Sequence, residues 1–299
     1  MGFIGIAFSA APFRESEMPG NETSDGHGEE FLQNTSQFLG FPGVTQTQPS
    51  RITMMKTKLT LFVTVLAAAL FGVGCATVDK SIDNAKLKTF SNEVIEKAIR
   101  DAVSKPEGGL SDTDYLRVRT LDVKGKGIND ISILSRCKNI TQLDLSYNNI
   151  EDLSPLSGLL KLRMLDLDGN HISDLSALSN LTELDELSLK ETKIISVAAL
   201  SKLSNLRLLD LDRNPRFENL EGLGSLSSLR TLTFSETPVK DLSPLKGLSL
   251  TVLGASYTHV SNFDALKNMR TLRSVDLYRS LASNEEAKEL VKKFTAEAK

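Results

Sequence analysis

The feature that most limits how this chain of 299 residues can fold is a sequence repeat of about 22 residues. Two successive repeats read "ITQLDLSYNNIEDLSPLSGLLK" and "LRMLDLDGNHISDLSALSNLTE". Seven complete repeats and the opening of an eighth begin at Val118, Ile140, Leu162, Leu184, Leu206, Leu229, Leu250 and Leu272. Because the period is so regular, it predicts a linear stack of similar coils in which each coil contacts only its neighbours.

Apolar residues occupy fixed positions in each repeat, counted here from its first residue as +0. Those at +3 and +5, such as Leu143 and Leu145, alternate as in a short strand with one buried face. Those at +10, +13, +16 and +19 return from the far side of the coil. A single repeat cannot bury them all, whereas a stack of repeats can. Each buried leucine then contributes about 1.5–3 kcal/mol.

A polar residue at +8 interrupts this apolar pattern. It is asparagine in three repeats (Asn148, Asn170, Asn214) and threonine or serine in four others (Thr192, Thr237, Thr258, Ser280). We expect the asparagines to enter the core and bond the backbone of neighbouring coils, because a buried amide without partners costs about 1–3 kcal/mol. A hydroxyl satisfies fewer partners, so the later coils are predicted to be less rigid.

The consensus of the repeats, "LxxLxLxxNxIxDLSxLxxL", is similar to the short leucine-rich repeats of internalins and of phosphatase-regulating nuclear repeat proteins. The resemblance covers residues 118–278. It implies an α/β solenoid, a right-handed leucine-rich repeat horseshoe of about seven to eight short coils. Parallel strands would line its concave face, and extended or 3-10 segments its convex face.

Both ends of the stack have sequences typical of capping helices, which cover the exposed core of terminal coils. In residues 89–117, "TFSNEVIEKAIRDAV" predicts a helix with Ser91 as N-cap and a hydrophobic staple between Phe90 and Ile95. In residues 279–299, "SNEEAKELVKKF" predicts a second helix that begins with a capping box. Either helix could instead bind a partner or a membrane, but capping is the simpler interpretation.

Residues 54–75 have the pattern of an export signal. Two lysines precede sixteen uncharged residues and then Cys75. Sixteen helical residues span only about 24 Å, less than the roughly 30 Å of a hydrocarbon core. A transmembrane anchor is therefore the weaker alternative. The ending "LFGVGCA" resembles a bacterial lipobox, which implies a lipoprotein signal peptide over residues 54–74 and a diacylglycerol on Cys75.

The other segments follow from that interpretation. Translation is expected to begin at Met54 or Met55, so residues 1–53 are a misassigned extension or a disordered segment. Residues 75–88 would tether the lipid to the cap. The expected location is the bacterial cell envelope, with lipid anchoring at the outer membrane or cell surface rather than the inner membrane.

No residue pattern indicates catalysis, a metal site or a cofactor. The histidines are scattered, and Cys137 occupies a core position at +19. The formal net charge of −3 gives no reason to expect nucleic acid. The chain is therefore predicted not to be an enzyme.

Side chains at +2, +4, +6 and +7 are expected to face the concave surface. The predicted ligand-contacting residues there are Asp144, Tyr147, Asp166, Asp168, Glu186, Lys190, Asp210, Asp212, Arg213, Tyr257 and Tyr278. Exposed tyrosines beside charges are typical interface anchors, and a row of carboxylates attracts basic partners. Alternatively, the carboxylates only keep the face soluble, and the rings lie over their own turns.

These features predict a non-catalytic protein-binding scaffold, lipid-anchored at the cell envelope, that recognises a protein or peptide ligand through its concave face. The acidic residues on that face favour a basic ligand. The alternative is an intracellular regulatory adaptor similar to the phosphatase regulators. It requires that residues 54–75 do not export the chain.

Mass spectrometry of the protein from its native host, after separation of membrane and soluble fractions, tests the export signal. We expect a chain that begins at a diacylglyceryl-modified Cys75 in the membrane fraction. A chain that begins at Met1 in the cytosol would favour the adaptor.

Overall fold

The computed structural model describes residues 80–280 and 284–296. Each coil contributes one three-residue strand to a single parallel sheet whose strands follow chain order. The strands are β1 Thr120–Asp122, β2 Gln142–Asp144, β3 Met164–Asp166, β4 Glu186–Ser188, β5 Leu208–Asp210, β6 Thr231–Thr233, β7 Val252–Gly254 and β8 Ser274–Asp276. The predicted right-handed horseshoe of short coils, with parallel strands on its concave face, is confirmed.

Equal positions of successive coils lie side by side in this sheet. Leu121 pairs with Leu143 and Leu143 with Leu165, so the +3 leucines form a continuous buried row. The opposite layer consists of 3-10 helices: Ser132–Arg136, Ser154–Leu156, Ser176–Leu178, Ala198–Leu200, Leu223–Ser225 and Ser243–Leu245. One apolar core fills the space between the two layers along the whole stack.

The +8 asparagines join neighbouring coils, as predicted. Asn170 is 1 % exposed. Its Nδ2 donates to the carbonyls of Leu145 and Leu167, both at 3.0 Å, and its Oδ1 accepts the N–H of Ile150 at 3.0 Å. Since Leu145 and Ile150 belong to the preceding coil, one amide fixes the turns of two coils.

Threonine at +8 makes fewer of these bonds. The hydroxyls of Thr237 and Thr258 each donate to one carbonyl in their own coil. Thr192 is a partial exception, because its hydroxyl also donates to Oδ1 of Asn214 in the next coil at 2.8 Å. The lower rigidity expected of the later coils remains a prediction.

Two helices cover the first coil. Helix α1 spans Lys80–Val103 and buries Ile95 and Ile99 completely against the core. The short helix α2, Asp112–Arg117, begins with a capping box formed by Ser111 and Asp114.

The start of α1 differs from the prediction. Ser91 is not an N-cap, because the helix already begins at Lys80 and takes in residues 80–88 of the predicted tether. Ser91 is instead buried, and its Oγ donates to Oδ1 of Asn129 at 3.0 Å. The predicted staple is also wrong, since Phe90 is 43 % exposed. Ser91 therefore fastens the cap to coil 1 rather than starting the helix.

Helix α3, Asn284–Ala296, covers the other end of the stack next to β8. Leu290 is buried there, Val291 packs against the core, and Nζ of Lys293 donates to the carbonyl of Lys267 at 3.0 Å. Helical caps at both ends are thus confirmed.

Several predicted features lie outside the described residues. These are residues 1–79, with the export signal and Cys75, and Ser283 of the second capping box. Within the described ranges, no helix has the length and apolar character needed to cross a membrane.

The asparagine ladder yields a stability prediction. Replacing Asn170 with Ala should lower the free energy of unfolding by about 2–4 kcal/mol, because three backbone groups lose their partner inside the core. Replacing Thr258 with Ala removes a single hydroxyl bond and should cost about 1 kcal/mol. Urea unfolding followed by circular dichroism measures both losses, and equal losses would contradict the coil-joining role of asparagine.

Candidate binding surface

The concave face consists of the strand side chains that point away from the apolar core, together with the side chains of the turn that follows each strand. All eleven residues predicted to contact a ligand lie there, on the strands or within four residues of a strand end. The structure thus brings them onto one surface. Whether they contact a ligand remains a prediction, and their local roles differ.

The +4 aspartates end their strands by binding the backbone. In β2, Oδ1 of Asp144 accepts the N–H of Ser146 at 2.9 Å. Asp166 and Asp210 accept the N–H two residues further on in the same way, at 3.0 and 2.9 Å. Asp166 and Asp210 are also only 9 % and 7 % exposed. Part of the predicted acidic strip is therefore built into the fold.

The +6 aspartates perform the same task where a +4 aspartate is missing. Coil 4 has Ser188 at +4, and the N–H of Lys190 is bound at 2.8 Å by Asp168 of the preceding coil. Coil 6 lacks the +4 aspartate as well, and the N–H of Ser235 is bound at 2.7 Å by Asp212. The placement of Asp168 and Asp212 thus follows from the need to bind these two N–H groups.

Burial, with a smaller contribution from neighbouring carboxylates, raises the pKa values of several of these acids. Burial raises the pKa of Asp166 to about 6, and the neighbouring carboxylates of Asp168 and Asp144 add to the effect. Burial and the charge of Asp210 likewise raise the pKa of Asp212 to about 6. Burial also raises the pKa of Asp168 and of Glu186. Asp166 and Asp212 therefore take up protons in mildly acidic solution.

Every coil has a left-handed residue at +7, directly after the strand turn. The φ angles lie between 55° and 63° for Gly125, Tyr147, Gly169, Glu191, Arg213, Glu236, Tyr257 and Arg279. This conformation directs the +7 N–H to the +6 carbonyl of the next coil, for example from Tyr147 to Asp168 at 2.6 Å. The sequence analysis missed this column, although glycine at the same position in coils 1 and 3 is a signal for it.

Tyr147 and Arg213 lie in this column and have partners within the chain. The ring of Tyr147 covers Gly169, where an added Cβ would lie 2.7 Å from Cδ1 of the ring, and Nζ of Lys124 lies 4.9 Å from the ring centroid. Arg213 pairs with Glu191 at 2.6 Å and with Glu236 at 3.1 Å. These two hydrogen bonds hold the pKa of Arg213 above its usual range.

The last two predicted tyrosines contact each other. The ring centroids of Tyr257 and Tyr278 are 5.6 Å apart with the ring planes at 74°, an edge-to-face pair. The guanidinium of Arg279 lies 5.5 Å from both centroids. Because the two tyrosines belong to neighbouring coils, neither ring lies only over its own turn. Both residues remain about half open to solvent, at 48 % and 59 % exposure.

A column of arginines at +1, on the other margin of the sheet, was also missed. It comprises Arg119, Arg163, Arg207, Arg230 and Arg273. Asp185 lies among them, 3.7 Å from Arg163 and 3.8 Å from Arg207. Reading the repeats at +1 would have found the column. It runs about 10 Å from the +4 carboxylates, since three residues of strand separate them.

The described residues include neither a cluster of metal ligands nor an exposed thiol. No group of three or more potential metal ligands occurs among them. Cys137 is fully buried, as predicted, and burial raises the pKa of its thiol to about 11, so the reactive thiolate is suppressed.

Comparisons with known proteins agree with this architecture. The family model "Leucine Rich repeats (2 copies)" matches residues 138–180. The structure of internalin C2 from Listeria monocytogenes superposes on this chain with a TM-score of 0.62 and a sequence identity of 31 %. The match covers 65 % of this chain and 89 % of the internalin C2 chain. The chain therefore belongs to the leucine-rich repeat proteins.

Within that family, two further structures from Listeria monocytogenes are similar. The internalin InlF is 29 % identical with a TM-score of 0.62, over 65 % of this chain and 60 % of InlF. The functional domain of InlJ, at 19 % identity and a TM-score of 0.53, covers 64 % of this chain and 48 % of its own, and shows the shared fold alone. Comparison with curated protein sequences gave no match.

The raised pKa values predict that acid stabilises the fold. A carboxyl group whose pKa is raised by folding contributes stability below its unfolded value, and this contribution is lost as pH rises through the folded value of about 6. The melting temperature should therefore increase between pH 7.5 and 4.5. Replacing Asp166 with Asn should stabilise the protein at pH 7.5 by about 1–3 kcal/mol and flatten this profile.

Asp174 provides the control of opposite sign. Hydrogen bonds from Ser176 hold its pKa below the usual range, so the charged form stabilises the fold and Asp174→Asn should lower the melting temperature at pH 7.5. Equal effects of the two substitutions would contradict the assignment.

Proposed function

We propose that this protein is a non-catalytic scaffold that holds a protein or peptide ligand on its concave face. The observation that carries the proposal is the +7 column, where tyrosines and arginines replace the glycine that fits the left-handed backbone best. Tyrosine and arginine are the residues most enriched in the energetic centres of protein interfaces. A surface selected only for solubility has no use for strained aromatic positions.

Rigidity supports the same proposal. In coils 1 to 7 the backbone N–H of the +7 residue is bound to the next coil, and in coils 2, 3 and 5 the asparagine at +8 also bonds the preceding coil. A ligand would therefore meet side chains that are already in place and would lose little conformational entropy on binding. The similarity to internalins is consistent with a scaffold of this kind.

The two margins of the concave face carry opposite charges, so they would contact different side chains of the ligand. The strip of Asp144, Asp166, Asp168, Asp210 and Asp212 would face basic side chains of the partner across coils 2 to 5. The arginine column at +1 would face acidic ones. Such a two-sided arrangement favours one orientation of the partner, since the reversed orientation places like charges together.

We place this scaffold at the bacterial cell envelope, attached to a membrane through a lipid on Cys75. The support is the sequence of residues 54–75, in which lysines, a short apolar stretch and a cysteine follow one another. In this setting the horseshoe would be displayed to proteins outside the cytoplasm.

Site-specific photo-crosslinking in the native host tests the proposal. A benzophenone amino acid in place of Tyr147, on the concave face, should give one discrete adduct with another protein. The same amino acid in place of Lys202, an exposed residue just after a 3-10 helix on the opposite layer, should not. Absence of the adduct at position 147, or equal adducts at both positions, would contradict concave-face binding.

A further inference from the structure

The cations that lie along the turn edge of the concave face differ in their partners. Lys124 lies near enough to Asp166 to lower the pKa of that carboxyl, although burial dominates there. Arg213 is bound by two glutamates. Among the described residues, the guanidinium of Arg279 lies over the rings of Tyr257 and Tyr278 and has no carboxylate or carbonyl partner.

The aromatic contact holds the Arg279 guanidinium in place without neutralising it. A cation over a ring is attracted by the ring quadrupole and keeps its N–H donors. The guanidinium plane presents those donors as a fork that matches the two oxygens of a carboxylate. Arg279 is itself exposed, so these donors are accessible to a partner.

The surrounding coils lack the acidic strip. Positions +4 and +6 hold Thr233 and Ser235 in coil 6 and Gly254 and Ser256 in coil 7, so no carboxylate occurs at these positions between Asp212 and Asp276. The strip thus ends at coil 5. Glu236 is occupied by Arg213, and Asp276 accepts the N–H of Tyr278 at 3.1 Å. This end of the face therefore differs in charge from coils 2 to 5.

Two local costs occur at this end, of which the first, a left-handed residue with a side chain, also occurs at +7 in coils 2, 4, 5 and 6. Tyr257 and Arg279 both have a φ of 55°, a conformation that costs a residue with a side chain about 1–2 kcal/mol. Ser256 is 7 % exposed, and its hydroxyl has no hydrogen-bond partner in the structure described. Unsatisfied buried groups and strained backbone concentrate at binding sites.

We propose that Tyr257, Tyr278 and Arg279 form a subsite for an aspartate or glutamate side chain of the protein partner. The inference rests on the proposed function and deepens it: the partner would place an acidic residue at coils 7 and 8 and basic residues along coils 2 to 5. The carboxylate pairs with the Arg279 fork, and the tyrosine rings flank it.

Fluorine NMR of the full-length chain tests this subsite. The sequence has four tyrosines, so 3-fluorotyrosine gives four signals, which Tyr→Phe variants assign. At pH 7.5 and low ionic strength, the peptide acetyl-Gly-Glu-Gly-amide should shift the signals of Tyr257 and Tyr278 and leave those of Tyr115 and Tyr147 in place. The Gln analogue of the peptide should shift none.

Variants separate the guanidinium from the fold. Arg279→Gln should weaken binding of the Glu peptide at least about tenfold. Arg279→Gly should weaken it equally while the melting temperature stays or rises, because glycine relieves the left-handed strain. Lys202→Gln, which removes one positive charge from the opposite layer, should leave the affinity unchanged.

Three outcomes would overturn the subsite. These are equal shifts with the Glu and Gln peptides, unchanged affinity in both Arg279 variants, or shifts with inorganic phosphate alone. Each of them leaves the crosslinking result at position 147 untouched, so failure of the subsite is distinguishable from failure of the scaffold function.

Discussion

The structure depends on how each coil leaves its strand. Immediately after the strand the chain must turn inward, and every backbone N–H and carbonyl group that it buries there needs a hydrogen-bond partner. The left-handed residue at +7 and, in coils 2, 3 and 5, the asparagine at +8 solve this together: the first sends its N–H to the next coil, and the second binds the preceding one. Because both bonds cross between coils, the same turn that closes a coil also fixes its neighbour, and the stack is rigid where its concave face begins.

This solution places large side chains on the surface as a consequence. A left-handed residue bears its side chain outside the core, so the +7 column is exposed whatever occupies it. Glycine suffices for the backbone, as Gly125 and Gly169 show. The tyrosines, arginines and glutamates in the other coils therefore reflect something besides folding. Within the column, Arg213 pairs with two glutamates of this chain, whereas Arg279 has no carboxylate partner among the described residues.

The acidic strip illustrates why a surface pattern has two possible meanings. Its aspartates bind the N–H groups that follow the strands, and Asp168 and Asp212 occur where the next coil lacks its own aspartate. Those bonds partly explain why acids recur at the same positions of the repeats, without any ligand. The remaining negative charge is still available to a partner, but it is held at raised pKa values and is therefore sensitive to mild acid.

The 22-residue period determined the solenoid, its core positions and the burial of the +8 asparagines, because a stack must bury the same apolar positions in every coil. It also predicted which residues share the concave face. Only the tertiary structure decided that α1 runs through Ser91, that Asp166 and Asp210 are buried, and which cations have partners. Those outcomes depend on contacts between coils, where neighbouring repeats bring different side chains to equal positions, and the pattern of a single repeat does not contain that information.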